Sequence, residues 1–203
     1  MDDSYPHIVS PSSWTEVLDP AALFPEPRPL AVDIGCGKGR YIVAEAARRP
    51  HMNFLGIDRL LARLRKASRK AAAAGLTNVR FLRIEASYAL EYLLPEHSVA
   101  EFTIFFPDPW PKRRHHRRRL LSTRVRDLLD RALQPGGAVH FATDHEDYFN
   151  DVTAGFRSDK RFQSIPARQP RAESLTTFET LFRSQGATIN RASYARVADR
   201  DQE

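Results

Sequence analysis

Residues 30–39 read Leu-Ala-Val-Asp-Ile-Gly-Cys-Gly-Lys-Gly, a short apolar run followed by a loop that holds three glycines. Glycines at this spacing let the backbone turn sharply and approach a ligand closely. A helical pattern follows over residues 40–49 and ends before Pro50. A strand, a glycine-rich loop and a helix in this order are typical of the first unit of a nucleotide-binding α/β sheet.

The alternation of strand and helix continues along the chain. Apolar runs predict strands at 54–57, 79–84, 102–106 and 138–142, and helical patterns predict helices at 60–74, 88–94 and 116–133. The stretch Gln134-Pro-Gly-Gly is expected to form a turn, and runs at 162–165 and 189–197 are expected to be edge strands. Such alternation favours right-handed crossovers. The predicted fold is therefore an α/β, Rossmann-like domain with a doubly wound, mostly parallel sheet.

The first 29 residues have a different character. They contain six of the fourteen prolines and show no clear hydrophobic period. We interpret residues 1–29 as a Pro-rich N-terminal arm that runs over the surface, and residues 30–203 as a single domain.

Composition narrows the class of protein. With 203 residues, 42% hydrophobic and 28% charged, the chain has the composition of an ordinary soluble domain. No secretory signal is visible in the first nine residues, and no run approaches the about 20 apolar residues of a membrane helix. The single cysteine, Cys36, excludes an internal disulfide and a cysteine-based zinc site, so we expect a reducing cytoplasm and predict no metal. We interpret Cys36 as a small loop residue rather than a nucleophile.

The positive charge is concentrated in two segments without acidic residues. The first basic segment (59–70) contains six Lys and Arg residues and the second basic segment (112–126) contains eight, within a net charge of +6. Two such segments favour a nucleic-acid partner held through its phosphates, with binding that weakens as salt rises. For either segment alone, a solvated helix face is an equally good interpretation.

The residues around the glycine loop indicate the charge of its ligand. Asp33 stands two residues before Gly35, and the third glycine arrives one residue earlier than in a dinucleotide-binding loop. A carboxylate at this place would repel a pyrophosphate but suits a cationic ligand such as S-adenosylmethionine. We therefore predict that Asp33, Gly35 and Gly37 belong to a cofactor site.

Two further acids end the next two predicted strands. Asp58 can accept both ribose hydroxyls of a nucleoside, and Glu85 can accept from an adenine amino group while the backbone N–H of Ala86 serves a ring nitrogen. Because the carboxyl ends of parallel strands meet at one edge of a sheet, these residues and the glycine loop outline one nucleoside-shaped site. The alternative is that each acid only caps the helix that follows it.

The end of the fourth predicted strand holds three tools for handling a nucleotide. Residues 104–114 read Ile-Phe-Phe-Pro-Asp-Pro-Trp-Pro-Lys-Arg-Arg, which places one carboxylate, Asp108, beside one indole, Trp110, and a run of cations. A carboxylate can accept from a base edge, an aromatic ring can stack on a base, and cations can hold phosphates. The alternatives are a proline-flanked turn residue for Asp108 and packing against the sheet edge for Trp110.

Four stretches carry a resemblance to a known family. In order and spacing, residues 33–39 and 105–119, Ala142-Thr-Asp144 and Thr176-Thr-Phe-Glu179 resemble the bacterial tRNA (guanine-N7)-methyltransferases over about residues 24–194. The Phe-Pro-Asp-Pro-Trp-Pro-Lys block is the most specific part. The resemblance implies the class I S-adenosylmethionine-dependent methyltransferase fold, and methylation of N7 of a guanosine in the tRNA variable loop.

The resemblance also implies roles for individual residues. Asp33, Asp58, Glu85 and Asp108 correspond to cofactor-site acids, with Asp108 also catalytic, and Lys112, Asp144, Thr176 and Glu179 correspond to substrate contacts. Two alternatives stay open, because Asp144 could cap a helix near residues 147–155 and Thr176 with Glu179 has the spacing of a capping box. The family commonly has a cation where this chain has Leu181, a place that Arg183 could fill.

Other functions fit the sequence less well. A methyltransferase of the same fold could act on another RNA, and a non-catalytic RNA-binding protein could have kept the fold, although all the acids are present. A DNA-binding regulator would leave the acidic strand ends without a purpose. We therefore expect tRNA as the partner, with no DNA, no membrane and no obligate protein partner.

Overall fold

The computed structural model describes residues 5–11 and 13–197. Its strands are β1 (Ile8–Val9), β2 (Leu30–Ile34), β3 (Asn53–Asp58), β4 (Val79–Arg83), β5 (Val99–Phe105), β6 (Leu133–Thr143), β7 (Phe162–Ile165) and β8 (Asn190–Arg196). They form one sheet in the order β1-β4-β3-β2-β5-β6-β8-β7. The first six strands pair in parallel, and β8 runs antiparallel to both β6 and β7. The predicted mostly parallel, doubly wound sheet is confirmed.

Helices cover both faces of this sheet. They are α1 (Arg40–Arg48), α2 (Leu61–Ala73), α3 (Ala86–Tyr88), α4 (Thr123–Ala132), α5 (Glu146–Arg157) and α6 (Thr177–Ser184), with a π-helical turn at Ala89–Leu93 and 3-10 turns at Ala21–Leu23, Arg113–Arg118 and Ala172–Ser174. One core joins Ala31 of β2 to α1 and α2, while the other joins Val32 to α4 and α5. Neighbouring strand residues thus face different cores, which explains why the central strands are apolar throughout.

The helix predicted over residues 116–133 is confirmed in its second half, as α4, and is wrong in its first half. The chain instead forms the 3-10 turn Arg113–Arg118, becomes extended at Arg119, and begins α4 at Thr123 with the Ser122 side chain as its N-cap. The break occurs because the Arg119 side chain turns inward to ion pairs on α5. The turn predicted over 134–137 is also wrong, because β6 already begins at Leu133. Residues 134–137 belong to this strand, where its pairing with β5 shifts register.

Part of the N-terminal arm belongs to the sheet. Strand β1 lies at the edge, where it pairs with β4, and the backbone N–H of Phe81 donates to the His7 carbonyl over 2.8 Å. Tyr5 lies beside α2, under the guanidinium groups of Arg65 and Arg69 at 5.2 and 5.5 Å from its ring centroid. These contacts join the arm to the first basic segment.

The strand order places a crevice at the centre of the sheet. From β2 the chain proceeds to β3 on one side, while β5 lies on the other side, so the loops after β2 and β5 diverge. Ligands of open α/β sheets bind at such a point, beyond the carboxyl ends of the strands. Among the described helices, none has the length and apolarity to cross a membrane.

Candidate active site

A cleft of about 750 Å³ opens at the carboxyl ends of β2 to β6. Six of the predicted site residues line it: Gly35, Asp58, Glu85, Ala86, Asp108 and Asp144. The other five lie outside its wall: Asp33, Gly37, Lys112, Thr176 and Glu179. Residues that the sequence places more than 100 positions apart therefore meet in one concave site, as a shared strand edge requires.

The glycines of the loop have different roles: one leaves space for a ligand, and another allows two helices to pack closely. Gly35, Gly37 and Gly39 all have positive φ angles, which favour glycine. A Cβ on Gly35 would meet nothing within 4 Å, whereas a Cβ on Gly39 would lie 2.6 Å from the Cβ of Ala67 on α2. The first glycine therefore leaves its side of the loop open to the cleft, and the third lets α1 and α2 pack together.

Asp33 is a buried carboxylate beneath this loop. Its Oδ1 accepts a hydrogen bond from Thr103 Oγ1 over 2.8 Å. Burial raises the pKa of Asp33 to about 7, with a contribution from the neighbouring charge of Asp58, while the Thr103 hydrogen bond opposes the shift. A cation bound nearby would favour the ionised form. Burial and the same two carboxylates raise the pKa of the Cys36 thiol, which makes it a poor nucleophile near neutral pH.

Asp58 and Glu85 both hold the backbone of the site in the structure. Asp58 accepts from the N–H of Leu60 over 2.8 Å and from the N–H of Gly37 over 3.1 Å. Glu85 Oε2 caps α3 by accepting from the N–H of Tyr88 over 2.9 Å. The alternative that Glu85 caps the helix after it is therefore confirmed. A carboxylate has about four acceptor positions, so a ligand can share each acid with the backbone.

The loop of Asp108 is held in a strained conformation. Phe106 and Trp110, which bracket it, have φ angles of 55° and 43°. Left-handed backbone costs about 1–3 kcal/mol at a bulky residue and persists where the surroundings enforce it. Asp108 is exposed on the cleft wall, and within the described residues its carboxylate accepts no hydrogen bond. The alternative of a turn residue bonded to its own backbone is therefore not seen.

Arg119 holds the loop of Asp108 in this conformation. It is also one of two arginines of the second basic segment that point into the protein rather than toward solvent. It is buried, and its Nε donates to the Pro109 carbonyl over 2.9 Å. Its two terminal nitrogens pair with Asp147, at 2.6 Å, and with Asp151. Arg126 is also turned inward, with its guanidinium 5.9 Å from the Phe156 ring centroid. Neither of these arginines belongs to an exposed phosphate-binding face, which leaves Lys112, Arg113, Arg114, Arg117, Arg118 and Arg124.

Asp147 and Asp151, the two ion-pair partners of Arg119, also lie close to His116. Ligand atoms of His116, Asp147 and Asp151 lie within 4.8 Å of one another, a spacing that could hold a metal ion. The Arg119 guanidinium, however, already pairs with both carboxylates. A guanidinium that supplies positive charge there leaves no need for a metal ion.

Trp110 does not pack against the sheet edge, and its stacking on a base stays a prediction. The Arg118 guanidinium lies 4.9 Å from its ring centroid, and the His115 ring meets it edge-on at 5.8 Å. Its neighbours thus come from the 3-10 turn rather than from the sheet edge. Because Trp110 and Arg118 both line the cleft, the pair offers an aromatic surface and a charge at its mouth.

Asp144 does not cap α5. The N-cap is His145, whose Nδ1 accepts from the N–H of Tyr148 over 3.3 Å, and Thr143 Oγ1 in turn accepts from the N–H of His145 over 3.1 Å. The capping alternative for Asp144 is therefore wrong. Its half-buried side chain lines the cleft on the same side as Asp108.

Helix α6 lies above the cleft, and its Thr-x-x-Glu motif fixes its position. Thr176 Oγ1 caps the helix by accepting from the N–H of Glu179 over 2.9 Å. The Glu179 side chain is fully buried, accepts from Arg183 Nε over 2.9 Å and pairs with Arg191 of β8. These contacts favour the helix-start alternative for both residues. Arg183 is thus engaged by Glu179, and contact of either motif residue with substrate stays a prediction.

The cleft also contains residues that sequence reasoning missed. Phe178 and Phe182 of α6 line it, and so do Phe106 and Arg63. The signal for the first two was a pair of aromatic residues at i and i+4, which lie on one face of a helix. That spacing predicts a shared face but not which part of the molecule the face meets.

Comparisons with known proteins identify relatives of the whole chain. A family model described as "Putative methyltransferase" matches residues 27–192. A tRNA (guanine-N(7)-)-methyltransferase from Syntrophotalea carbinolica is 37% identical, over 91% of this chain and 82% of the relative. One from Nocardia farcinica is 41% identical, over 68% of this chain and 52% of the relative. Among solved structures, a variant 16S rRNA (adenine(1408)-N(1))-methyltransferase from Catenulisporales acidiphilia, determined with its cosubstrate SAM, is similar in fold, with a TM-score of 0.57, 16% identity and coverage of 86% and 88%.

Proposed function

The chain belongs to the tRNA (guanine-N(7)-)-methyltransferase family, and from this membership we propose that it methylates N7 of a guanosine in the tRNA variable loop. The observation that carries the proposal is the exposed Asp108 carboxylate, which shares one cleft with Gly35, Asp58 and Glu85. The acids suit a cationic methyl donor, and the strained loop presents one further carboxylate to a base. The enzyme would act in the cytoplasm, where tRNA is modified, without an obligate protein partner.

The residues around the glycine loop fit S-adenosylmethionine. Asp33 lies buried beside the loop with a raised pKa, an arrangement that favours a cation as its partner, and Gly35 leaves the space above it open. Asp58 would accept the ribose hydroxyls, and Glu85 with the N–H of Ala86 would bind the adenine edge. When bound, the cofactor supplies an electrophilic methyl group on a sulfonium.

The protein's task at the guanine is positioning and charge stabilisation. N7 already holds an in-plane lone pair, so no residue needs to remove a proton before transfer. Alignment of the reacting atoms within one cleft therefore supplies much of the rate. As N7 bonds to the methyl carbon, the carbon–sulfur bond of the donor breaks and sulfur leaves as a neutral thioether, so positive charge moves onto the purine. A fixed carboxylate stabilises that state more than the neutral base. Asp108 would accept from the guanine N1–H and the 2-amino group, which places its charge beside the ring.

The exposed cations beside the cleft would hold the tRNA body. Lys112, Arg113, Arg114 and Arg117 are exposed and follow the Asp108 loop directly. A guanosine of the folded tRNA core hides its N7 edge, so the base would be flipped out with energy drawn from these phosphate contacts.

A product-mapping experiment tests the proposal. The purified protein is incubated with labelled S-adenosylmethionine and unmodified tRNA, and the labelled nucleoside is identified after digestion to nucleosides. We expect 7-methylguanosine, mapped to the variable loop. A label on another nucleoside, or on a guanosine outside the variable loop, would favour a methyltransferase with another target. Tight tRNA binding without any transfer would favour a non-catalytic RNA-binding protein.

The affinity for S-adenosylmethionine is expected to fall as the pH falls below about 7. Above the raised pKa of Asp33 the carboxylate is ionised and ready for a cation, whereas below it the bound proton must leave first. The dissociation constant should therefore rise about tenfold per pH unit below pH 7 until the pKa of the complex is reached. Calorimetry between about pH 5.5 and about pH 8 measures this dependence.

The Asp33→Asn variant is the control for this pH dependence. Its amide does not titrate, so binding should be weak at all pH values and flat across the same range. A wild-type dissociation constant that does not change with pH would mean that Asp33 is not the group that meets the cation.

Neutralising two exposed arginines is expected to weaken tRNA binding and flatten its salt dependence. In the Arg113→Gln/Arg114→Gln variant, loss of two phosphate contacts should reduce the slope of log K against log salt by about 1.4 to 1.8. Filter binding at several salt concentrations measures the slope. Arg157→Gln/Lys160→Gln is the matched control, because it also removes two charges and both exposed residues lie at the carboxyl end of α5, at the opposite edge of the sheet. Equal slopes for both variants would contradict an RNA face at the second basic segment.

A further inference from the structure

Helix α6 presents to the cleft an aromatic ring, Phe178, that is about half exposed. We propose that Phe178 stacks on the face of the target guanine while Asp108 binds its edge, so that α6 selects and holds the flipped base. This inference rests on the proposed function, because it takes guanine as the base that enters. Face and edge recognition by different elements would fix the base in the two directions that alignment requires.

The exposure of Phe178 is the first observation. The side chain is 47% exposed and lines the same cleft as Asp108. A large apolar side chain left exposed in a concave site is commonly covered by a ligand. Base–aromatic stacking is the usual way in which proteins hold an unstacked base.

The ring is part of a continuous aromatic row. Phe182 packs against Phe106 of the strained loop, with ring centroids 5.6 Å apart, and against Phe178 at 6.1 Å with planes only 21° apart. The row therefore runs from the loop that carries Asp108 to the exposed ring on α6. A base inserted against Phe178 would extend this row into the cleft.

Helix α6 is anchored firmly enough to present a ring in a fixed place. The buried Glu179 carboxylate pairs with Arg191, which lies on the neighbouring strand β8. In addition, Arg40 at the start of α1 donates to Thr180 Oγ1 over 2.8 Å. Because side-chain contacts hold the helix at both Glu179 and Thr180, the backbone of Phe178 is already ordered before a ligand binds. This order lowers the entropic cost of stacking.

The chemistry of the reaction strengthens this contact as it proceeds. Methyl transfer to N7 makes the purine ring cationic, and a cation is attracted to the face of an aromatic ring. The Phe178 ring would therefore interact more strongly with the transition state and with the methylated product than with neutral guanine. Removal of the ring should lower turnover as well as base binding.

The test compares two exposed residues of the same helix. Phe178 and Leu181 are each 47% exposed, but only the phenylalanine of this pair lines the cleft. Phe178→Ala is expected to lower kcat/KM for tRNA by about tenfold to a hundredfold, the range observed for loss of one stacking contact, with an unchanged dissociation constant for S-adenosylmethionine. Leu181→Ala should stay within about twofold of the wild type, as surface substitutions usually do.

Two more variants distinguish the effect of the aromatic ring from the effect of apolar side-chain volume. Phe178→Tyr should retain activity within a few fold, while Phe178→Leu, which keeps apolar volume but has no ring, should resemble the alanine variant. Wild-type kcat/KM in Phe178→Leu, or equal losses in Phe178→Ala and Leu181→Ala, would overturn the proposal. Weaker S-adenosylmethionine binding by Phe178→Ala would also overturn it, because the ring would then contact the donor. The proposed function fails separately, when the wild type itself makes no 7-methylguanosine.

Discussion

Replacement of Asp108 by asparagine is expected to lower the single-turnover rate of methyl transfer about a hundredfold to a thousandfold. This is the usual loss when one preorganised electrostatic group is removed from an active site. The amide has the size of the carboxylate but lacks the negative charge that stabilises the cationic purine. Because Asp108 is exposed and makes no hydrogen bond within the described residues, the variant should fold normally. Its affinity for tRNA should stay within a few fold.

Glu146→Gln provides the matched control for this substitution. Glu146 is an exposed acid in the first turn of α5, close to the same edge of the sheet, and does not line the cleft. The Glu146→Gln variant loses one negative charge, as Asp108→Asn does, but loses no proposed contact with the substrate. Its turnover should therefore equal that of the wild type. Near-normal turnover in Asp108→Asn would show that the carboxylate is not catalytic. A loss in both variants would indicate only a general effect of net charge.

Substitution of Arg119 by lysine is expected to give the second largest effect. A lysine keeps the charge but cannot reach the Pro109 carbonyl, Asp147 and Asp151 with one planar fork. The strained loop between Phe106 and Trp110 would then relax, and the carboxylate of Asp108 would move from its place. Misplacement of a reacting group by about 1 Å can cost about a hundredfold in rate. We expect kcat to fall about tenfold to a hundredfold, with little change in the affinity for S-adenosylmethionine.

The Arg126→Lys variant separates this positioning role from general stability. Arg126 is also a largely buried arginine against α5, with 12% of its side chain exposed, but it packs on Phe156 and does not touch the Asp108 loop. Both variants should lose about 1–3 kcal/mol of unfolding free energy, measured by denaturant titration. Only Arg119→Lys should lose turnover. If both variants keep full turnover, something other than Arg119 holds the loop.

Much of the fold could be predicted because its signals are local. The apolar run at 30–34 and the glycines after it identify the first strand and loop, since central strands of a parallel sheet are buried on both faces. The positions of Asp58, Glu85 and Asp108 at strand ends followed from the same alternation. Their meeting in one cleft is a consequence of parallel topology, which brings carboxyl ends together.

The failed predictions share one physical cause. The sequence around Arg119 favours a continuous helix, and the break depends on aspartates about 30 residues later, which no local window contains. The burial of Glu179 depends in the same way on Arg191 of a later strand, which pairs with its carboxylate, while a contact of Glu179 with substrate stays a prediction. The cleft position of Phe178 and Phe182 also depends on tertiary structure, because it follows from where α6 packs.

The sequence by itself determined the class of fold, the acidic strand ends and the family, because each depends on residue type and spacing along the chain. Only the tertiary structure decided which charges are exposed, which are paired inside the protein, and which ring shares the cleft with Asp108. The reason is that burial and partnership depend on contacts between distant segments. A guanidinium that faces solvent and one that is paired inside the protein have the same sequence signal, but only the first can bind a phosphate.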